Sequence, residues 1–217
     1  MRAFAAILVA AAVARAAPSK PCFDRLDGKP FETVCYKTLA NVSGGALTVR
    51  AYEGASADAF LVSNAAPSSI TTYQEALMLT TFYVIDYITN HSLLTSRTVP
   101  VTLRPPTTAA NDEWIAQMAL APSKWPPASK PPAPFAPTEL VPRGRVTLAA
   151  LRTTLQQSPQ PSDFDALCKQ LRAGVQSELP AWTVDEASPI SPTHARYFGE
   201  ESFGPYEMEC WVGVTKA

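Results

Sequence analysis

The sequence predicts an α+β fold, with two helices on a mainly antiparallel β-sheet or open barrel. Three observations predict it. The run Thr71 to Asn90, TTYQEALMLTTFYVIDYITN, holds twenty residues without Pro or Gly and is the longest helix-compatible stretch after the N-terminal segment. The run Asp163 to Glu178 places Phe164, Leu167, Leu171 and Val175 at helical spacing, a clean core stripe with Cys168 beside it. Short segments alternating between apolar and polar residues surround both runs.

Taken in order, residues 18–30 read as an irregular arm and Phe31 to Tyr36 as a short strand. Ser43-Gly44-Gly45 is a turn signal. Ala46 to Tyr52 reads as a strand with Leu47, Val49 and Ala51 on one face, and Ala57 to Ser63 as the next. Thr71 or Thr72 can cap the long helix. Arg97 to Leu103 is a strand whose Pro100 requires an edge or a bulge, because proline cannot donate to the ladder. Glu113 to Ala121 alternates as a strand. Pro122 to Pro142 holds eight prolines and reads as a long surface loop of polyproline character, with an interdomain linker as the competing view. Arg145 to Thr153 resumes strand. The second helix follows, capped by Ser162 or Asp163. Ala181 to Glu186 is a short strand, 188–205 a loop, and Glu207 to Thr215 the closing strand.

The two halves match in element order. Strands in 46–63, helix 71–90 and strands in 97–121 are followed by strand 145–153, helix 163–178 and strands in 181–215. Neither half has enough strands to bury a sheet alone, so one domain over residues 18–217 is expected.

On a helical wheel, Tyr73, Leu77, Thr80, Thr81, Val84, Tyr87 and Ile88 form the inner side of the first helix. Glu75, Asp86, Thr89 and Asn90 lie outside, but Met78, Leu79, Phe82 and Tyr83 lie on or beside that outer side too. An ordinary amphipathic helix would carry charge there. Four large apolar side chains outside the core stripe point either to a covering strand or loop, or to a ligand surface.

Composition narrows the function classes. The 217 residues are 47% hydrophobic, with 18 basic and 19 acidic residues and a net charge of −1. No basic face stands out, which argues against nucleic acid as a partner. Residues 1–17, MRAFAAILVAAAVARAA, read as a secretory signal: a positive start, an apolar stretch too short to span a bilayer comfortably, and Ala14-Arg15-Ala16 as a small-x-small cleavage site. No other segment reads as a transmembrane anchor. The protein is expected to be secreted or lumenal. Asn41 and Asn90 each open a glycosylation sequon. Cys22, Cys35, Cys168 and Cys210 lack zinc spacing and suit disulfides. Four cysteines allow three pairings. Cys22–Cys35 with Cys168–Cys210 is favoured because the first pair is local, and buried free thiols are the alternative.

The order of elements resembles the SOUL/heme-binding protein family. Leu47-Thr48-Val49-Arg50-Ala51-Tyr52 is similar to its YEVRxY strand, without the leading Tyr-Glu. Phe60 to Ser63 stands where the family has Trp followed by small polar residues. Phe82 to Ile88 with Asn90 resembles its GFxxLxxYIxGxN helix, with Thr89 in place of the glycine. Pro100-Val101-Thr102 matches KMTxPVT, and Glu207 to Lys216, with Trp211, resembles NEVWLxxK. Cys22-Phe23-Asp24 and Leu26-Asp27 are similar to the FC…LDCP arm of secreted members. The resemblance implies a distorted antiparallel barrel of two pseudo-symmetric halves, each with a helix. It implies non-enzymatic binding of heme or a related tetrapyrrole, against the outer surface of the first helix and the loop before the last strand.

A porphyrin needs an apolar surface, rim cations and optionally an axial ligand. The expected site is therefore Met78, Leu79, Phe82 and Tyr83 for the plate, Arg196 for a propionate, and His194 as axial ligand to the metal. His91 ends the long helix, where the helix terminus favours the protonated form that cannot ligate. Tyr83 and Met78 are further axial candidates. Two rival readings remain. A secreted enzyme would have to build its site from two histidines outside any motif, with no GxSxG, HExxH or P-loop. Its paired carboxylates would be Asp163-Asp165 or Glu200-Glu201. A secreted interaction module would engage a protein partner through the Pro-rich loop at Lys130-Pro131-Pro132-Ala133-Pro134.

Overall fold

The structure is a computed structural model that describes residues 21–26, 29–53, 59–93, 97–106, 112–125, 130–197 and 205–217. The expected signal segment, Ala57 and Asp58 of the predicted third strand, and Glu200-Glu201 lie outside the described residues.

The chain runs β1 (Cys22–Leu26), β2 (Lys29–Thr33), β3 (Lys37–Val42), β4 (Leu47–Tyr52), β5 (Phe60–Pro67), α1 (Tyr73–Asn90), β6 (Arg97–Arg104) and β7 (Glu113–Leu120). It continues through β8 (Glu139–Pro142), β9 (Val146–Leu155), α2 (Pro161–Glu178), β10 (Trp182–Val184), β11 (Thr193–Arg196) and β12 (Tyr206–Lys216). The fold is α+β with two helices. Ten strands form one sheet in the order β3-β4-β9-β12-β11-β6-β7-β5-β8, with β10 added on β12, and its pairings are antiparallel. The sheet is open, with β3 and β8 at its edges, so the expected antiparallel sheet is present and is not closed into the barrel that the resemblance implies. Strands from both sides of the Pro-rich segment interleave: β4 pairs with β9 and β6 with β11.

Strand alternation gives the sheet two buried faces. Leu47, Val49, Ala116, Ala149, Cys210 and Val212 face the helices. Tyr52, Leu61, Ala119, Leu148, Ala150 and Trp211 face the other way. The helices cover the first face, α2 over β9 and β12 and α1 over β5 and β7. The α2 stripe Phe164, Leu167, Leu171 and Val175 is buried as its spacing requires. In α1, Tyr73, Thr80, Val84, Tyr87 and Ile88 are buried as expected. Ala76 takes the place assigned to Leu77 and Thr81, which are half-buried. Spaced three residues from Tyr73 and four from Thr80, Ala76 lies on the buried line of the helix and is fully buried.

Four segments differ from the sequence reading. The arm expected to be irregular is the hairpin β1–β2, closed by the Cys22–Cys35 disulfide. Lys37–Val42 is an edge strand whose burial pattern carries no clear alternation. Glu139–Pro142, the end of the predicted Pro-rich loop, pairs with β5. Proline is tolerated there because β8 is an edge. Thr193–Arg196, expected in a loop, is a central strand between β12 and β6. Pro100 falls where the β6–β7 register shifts, the irregularity that proline demands. Thr72 caps α1, accepting from the Glu75 N–H at 3.3 Å. At α2 the cap is Gln160, with Pro161 as first helical residue and Asp163 accepting the Gln160 N–H at 2.7 Å.

Candidate functional site

The outer side of α1 is bare. Met78 is 62% exposed, Leu79 38%, Phe82 64% and Ile85 50%. Met78, Phe82 and Ile85 stand at i, i+4 and i+7 and make one strip along the helix, with Leu79 beside it. The ring of Phe82 meets that of half-buried Tyr83 edge to face, centroids 5.6 Å apart. No strand or loop among the described residues buries this strip, so the covering alternative is not realised there. The sequence reading missed Ile85, although its seven-residue spacing from Met78 places it on the same line. Neither Lys nor Arg occurs within α1, and Glu75 and Asp86 stand on its exposed surface.

The Pro-rich segment flanks the end of this helix. The Tyr87 hydroxyl donates to the Pro132 carbonyl at 2.8 Å, and Pro131 is buried. His91 stacks against Phe135, centroids 6.1 Å apart and planes inclined by 13°, and Phe135 is 77% exposed. The stretch Lys130 to Pro134 is therefore partly docked on α1, with Lys130 and Ala133 exposed.

His194 and Arg196 belong to a different place. Both lie on β11, two residues apart and hence on one face, the helix-facing one. His194 is buried, stacked on Phe164 at a centroid distance of 4.8 Å and in tilted contact with Tyr73 at 5.5 Å. It borders a groove where the first turns of α1 and α2 approach each other, lined also by Trp114, Asp165, Lys169 and Arg172. Burial lowers the imidazole pKa to about 4, with the Asp165 charge opposing the shift, so the ring is neutral near pH 7. Arg196 reaches the Ser158 hydroxyl at 3.5 Å and lies over the Tyr206 ring.

Tyr73 and Phe82 are nine residues apart, which puts them about 180° apart around the helix. His194 touches Tyr73, so α1 itself stands between the imidazole and the exposed strip. The sequence-derived site thus divides. Met78, Leu79, Phe82 and Tyr83 come together on the outer surface, whereas His194 and Arg196 gather beneath the helices. The sequence expects both histidine and arginine in a loop before the last strand, beside the strip. The strand pairing of β11 instead buries His194 and leaves Arg196 half-buried.

Both expected disulfides are present, Cys22–Cys35 and Cys168–Cys210, the latter joining α2 to β12. Asn41 and Asn90 are exposed. Among the described residues, no group of three or more His, Cys, Asp or Glu side chains is placed to hold a metal ion, and no helix is long and apolar enough to cross a membrane. Asp163, one of the paired carboxylates considered for catalysis, is occupied in capping α2.

No family model matches the chain, and no curated protein matches it. Among solved structures, a putative bacterial transcription regulation protein from Staphylococcus aureus MU50 is similar at 11% identity, over 78% of this chain and 97% of that one, with a TM-score of 0.43. Nothing about function follows from a likeness this distant.

Proposed function

We propose that the protein is a non-enzymatic carrier or scavenger of heme or a related tetrapyrrole, held on the outer face of α1. The observation that supports this is the strip Met78–Phe82–Ile85 with Leu79, large apolar side chains left in water along about 10 Å of helix axis. Exposed apolar surface costs roughly 25 cal/mol per Å² relative to burial, so a flat apolar plate laid there gains binding energy without any polar contact. The resemblance to the SOUL/heme-binding family and its pseudo-symmetric halves points the same way.

The chemistry of the strip shapes the reading. With no cation on α1, the propionates would remain in solvent, and stacking rather than ion pairing would hold the plate. Met78 is the strip's own candidate for an axial bond, through its thioether. Secretion through an oxidising compartment completes the reading, supported by two disulfides and two exposed sequon asparagines. The test is titration of residues 18–217 with hemin and with iron-free protoporphyrin. Similar saturable affinities mark stacking as the main force. Saturation by hemin alone assigns the binding to an axial bond. Saturation by neither removes the proposal.

A further inference from the structure

The face of the sheet turned away from the helices encloses a cavity of about 590 Å³. That lies within the roughly 300–1,000 Å³ of small-molecule pockets. Leu61, Ile115, Val146 and Ile190 give it an apolar wall, and Tyr52 and Trp211 give it two aromatic side chains. It shares no lining residue with the α1 strip, from which the sheet and the inner face of α1 separate it.

One residue of this cavity is anomalous. Several other arginines drawn into this protein have carboxylates. Arg50 pairs with Glu209, Arg104 with Asp112, and Arg152 with Asp24 and Glu207. Arg143 has no such partner among the described residues. Its backbone N–H is fixed to the Ala59 carbonyl at 2.8 Å, and its guanidinium carbon lies 3.9 Å from the centre of the Tyr52 ring. Its Nε–H is buried with no hydrogen-bond acceptor. A half-buried cation stacked on an aromatic ring, with a donor left without an acceptor, in a cavity that also has apolar lining, is a receptor for an anion attached to an apolar body.

We propose that this cavity is a second ligand site, for a small organic carboxylate with an apolar body. The carboxylate pairs with Arg143, and the body lies against Leu61, Ile115, Val146 and Ile190. The site is independent of the helix strip in both position and chemistry. The strip offers apolar area without a cation, whereas the cavity offers both.

Calorimetric titration of residues 18–217 with decanoate, and with decanol as its uncharged counterpart, tests this. The expected result is saturable one-to-one binding of decanoate, with decanol at least ten-fold weaker. Arg143→Gln should weaken decanoate at least ten-fold, and Arg143→Lys should recover part of the loss. Gln117→Phe, which fills the cavity from β7, should also abolish binding while thermal unfolding stays cooperative. Phe82→Ala should leave decanoate binding unchanged, so failure of the helix-face reading and failure of this one are separable. Equal affinity for decanol and decanoate, absence of binding, or retention of decanoate affinity in both Arg143→Gln and Gln117→Phe would overturn the proposal.

Discussion

His194 stacks on Phe164 with ring centroids 4.8 Å apart and planes inclined by 14°, and the pair locks β11 beneath the start of α2. Burial holds the imidazole neutral by lowering its pKa to about 4, against about 6.5 in an unfolded chain. The unfolded state therefore binds the extra proton first as pH falls. The stabilising contribution is whole above about pH 6.5 and is lost progressively toward pH 4, by up to about 3 kcal/mol. Urea unfolding at intervals from pH 7.5 to 4.5 should show this slope. His194→Phe, which keeps the stack and removes the titration, should flatten it. An unchanged slope in that variant would place the acid sensitivity elsewhere.

Arg50 and Glu209 form a two-pronged ion pair between β4 and β12, at 2.9 and 2.8 Å, with both side chains buried. Desolvation pushes the Glu209 carboxyl up, but the Arg50 charge and hydrogen bonds from Arg50 and Trp211 outweigh it and hold it below the ordinary carboxylate range. Removing one partner strands the other charge. Arg50→Met should cost about 3–5 kcal/mol in chemical denaturation, and the double variant Arg50→Met/Glu209→Leu should recover most of it. A double variant no better than the single would show that the pair contributes net stability.

The two disulfides should differ in weight. Cys168–Cys210 closes a separation of 42 residues and ties α2 to the sheet, while Cys22–Cys35 closes 13 and staples a peripheral hairpin. The chain-entropy difference alone is about 1 kcal/mol. Replacing Cys168 and Cys210 by alanine should lower the melting temperature more than replacing Cys22 and Cys35. The reverse order would mean that the hairpin anchors more of the fold than its edge position suggests.

Asn41 on β3 and Asn90 at the end of α1 are both exposed. Expression of the full chain in a glycosylating secretory host should give a product that peptide N-glycosidase shifts in two steps. Asn41→Gln and Asn90→Gln should each remove one step. A single unmodified band from the medium would leave secretion intact and the sequons unused.

Periodicity made the helices legible. The α2 stripe and the inner and outer sides of α1 follow directly from 3.6-residue spacing, because each helix packs one face and leaves the other in solvent. Strands β4, β7 and β12 were legible for the equivalent reason. The misses have physical causes. β8 hid among prolines, because an edge strand needs only half its ladder. β11 is four residues long, and its sequence THAR does not alternate in polarity, although the strand is buried on both sides. That miss moved His194 and Arg196 to the wrong place, since a strand position rather than a loop decided their neighbours. Arg143 offered no signal, because what sets it apart is the absence of a carboxylate partner among the described residues.

The measurement that bears most directly on the helix-face account is a hemin titration of residues 18–217 followed by Soret absorbance, with Phe82→Ala, Met78→Ala and His194→Phe in parallel. The account predicts a saturable one-to-one shift, weakened about ten-fold or more by Phe82→Ala, altered in band position by Met78→Ala, and unaffected by His194→Phe. A shift abolished by His194→Phe and indifferent to Phe82→Ala would contradict it and move the ligand beneath the helices.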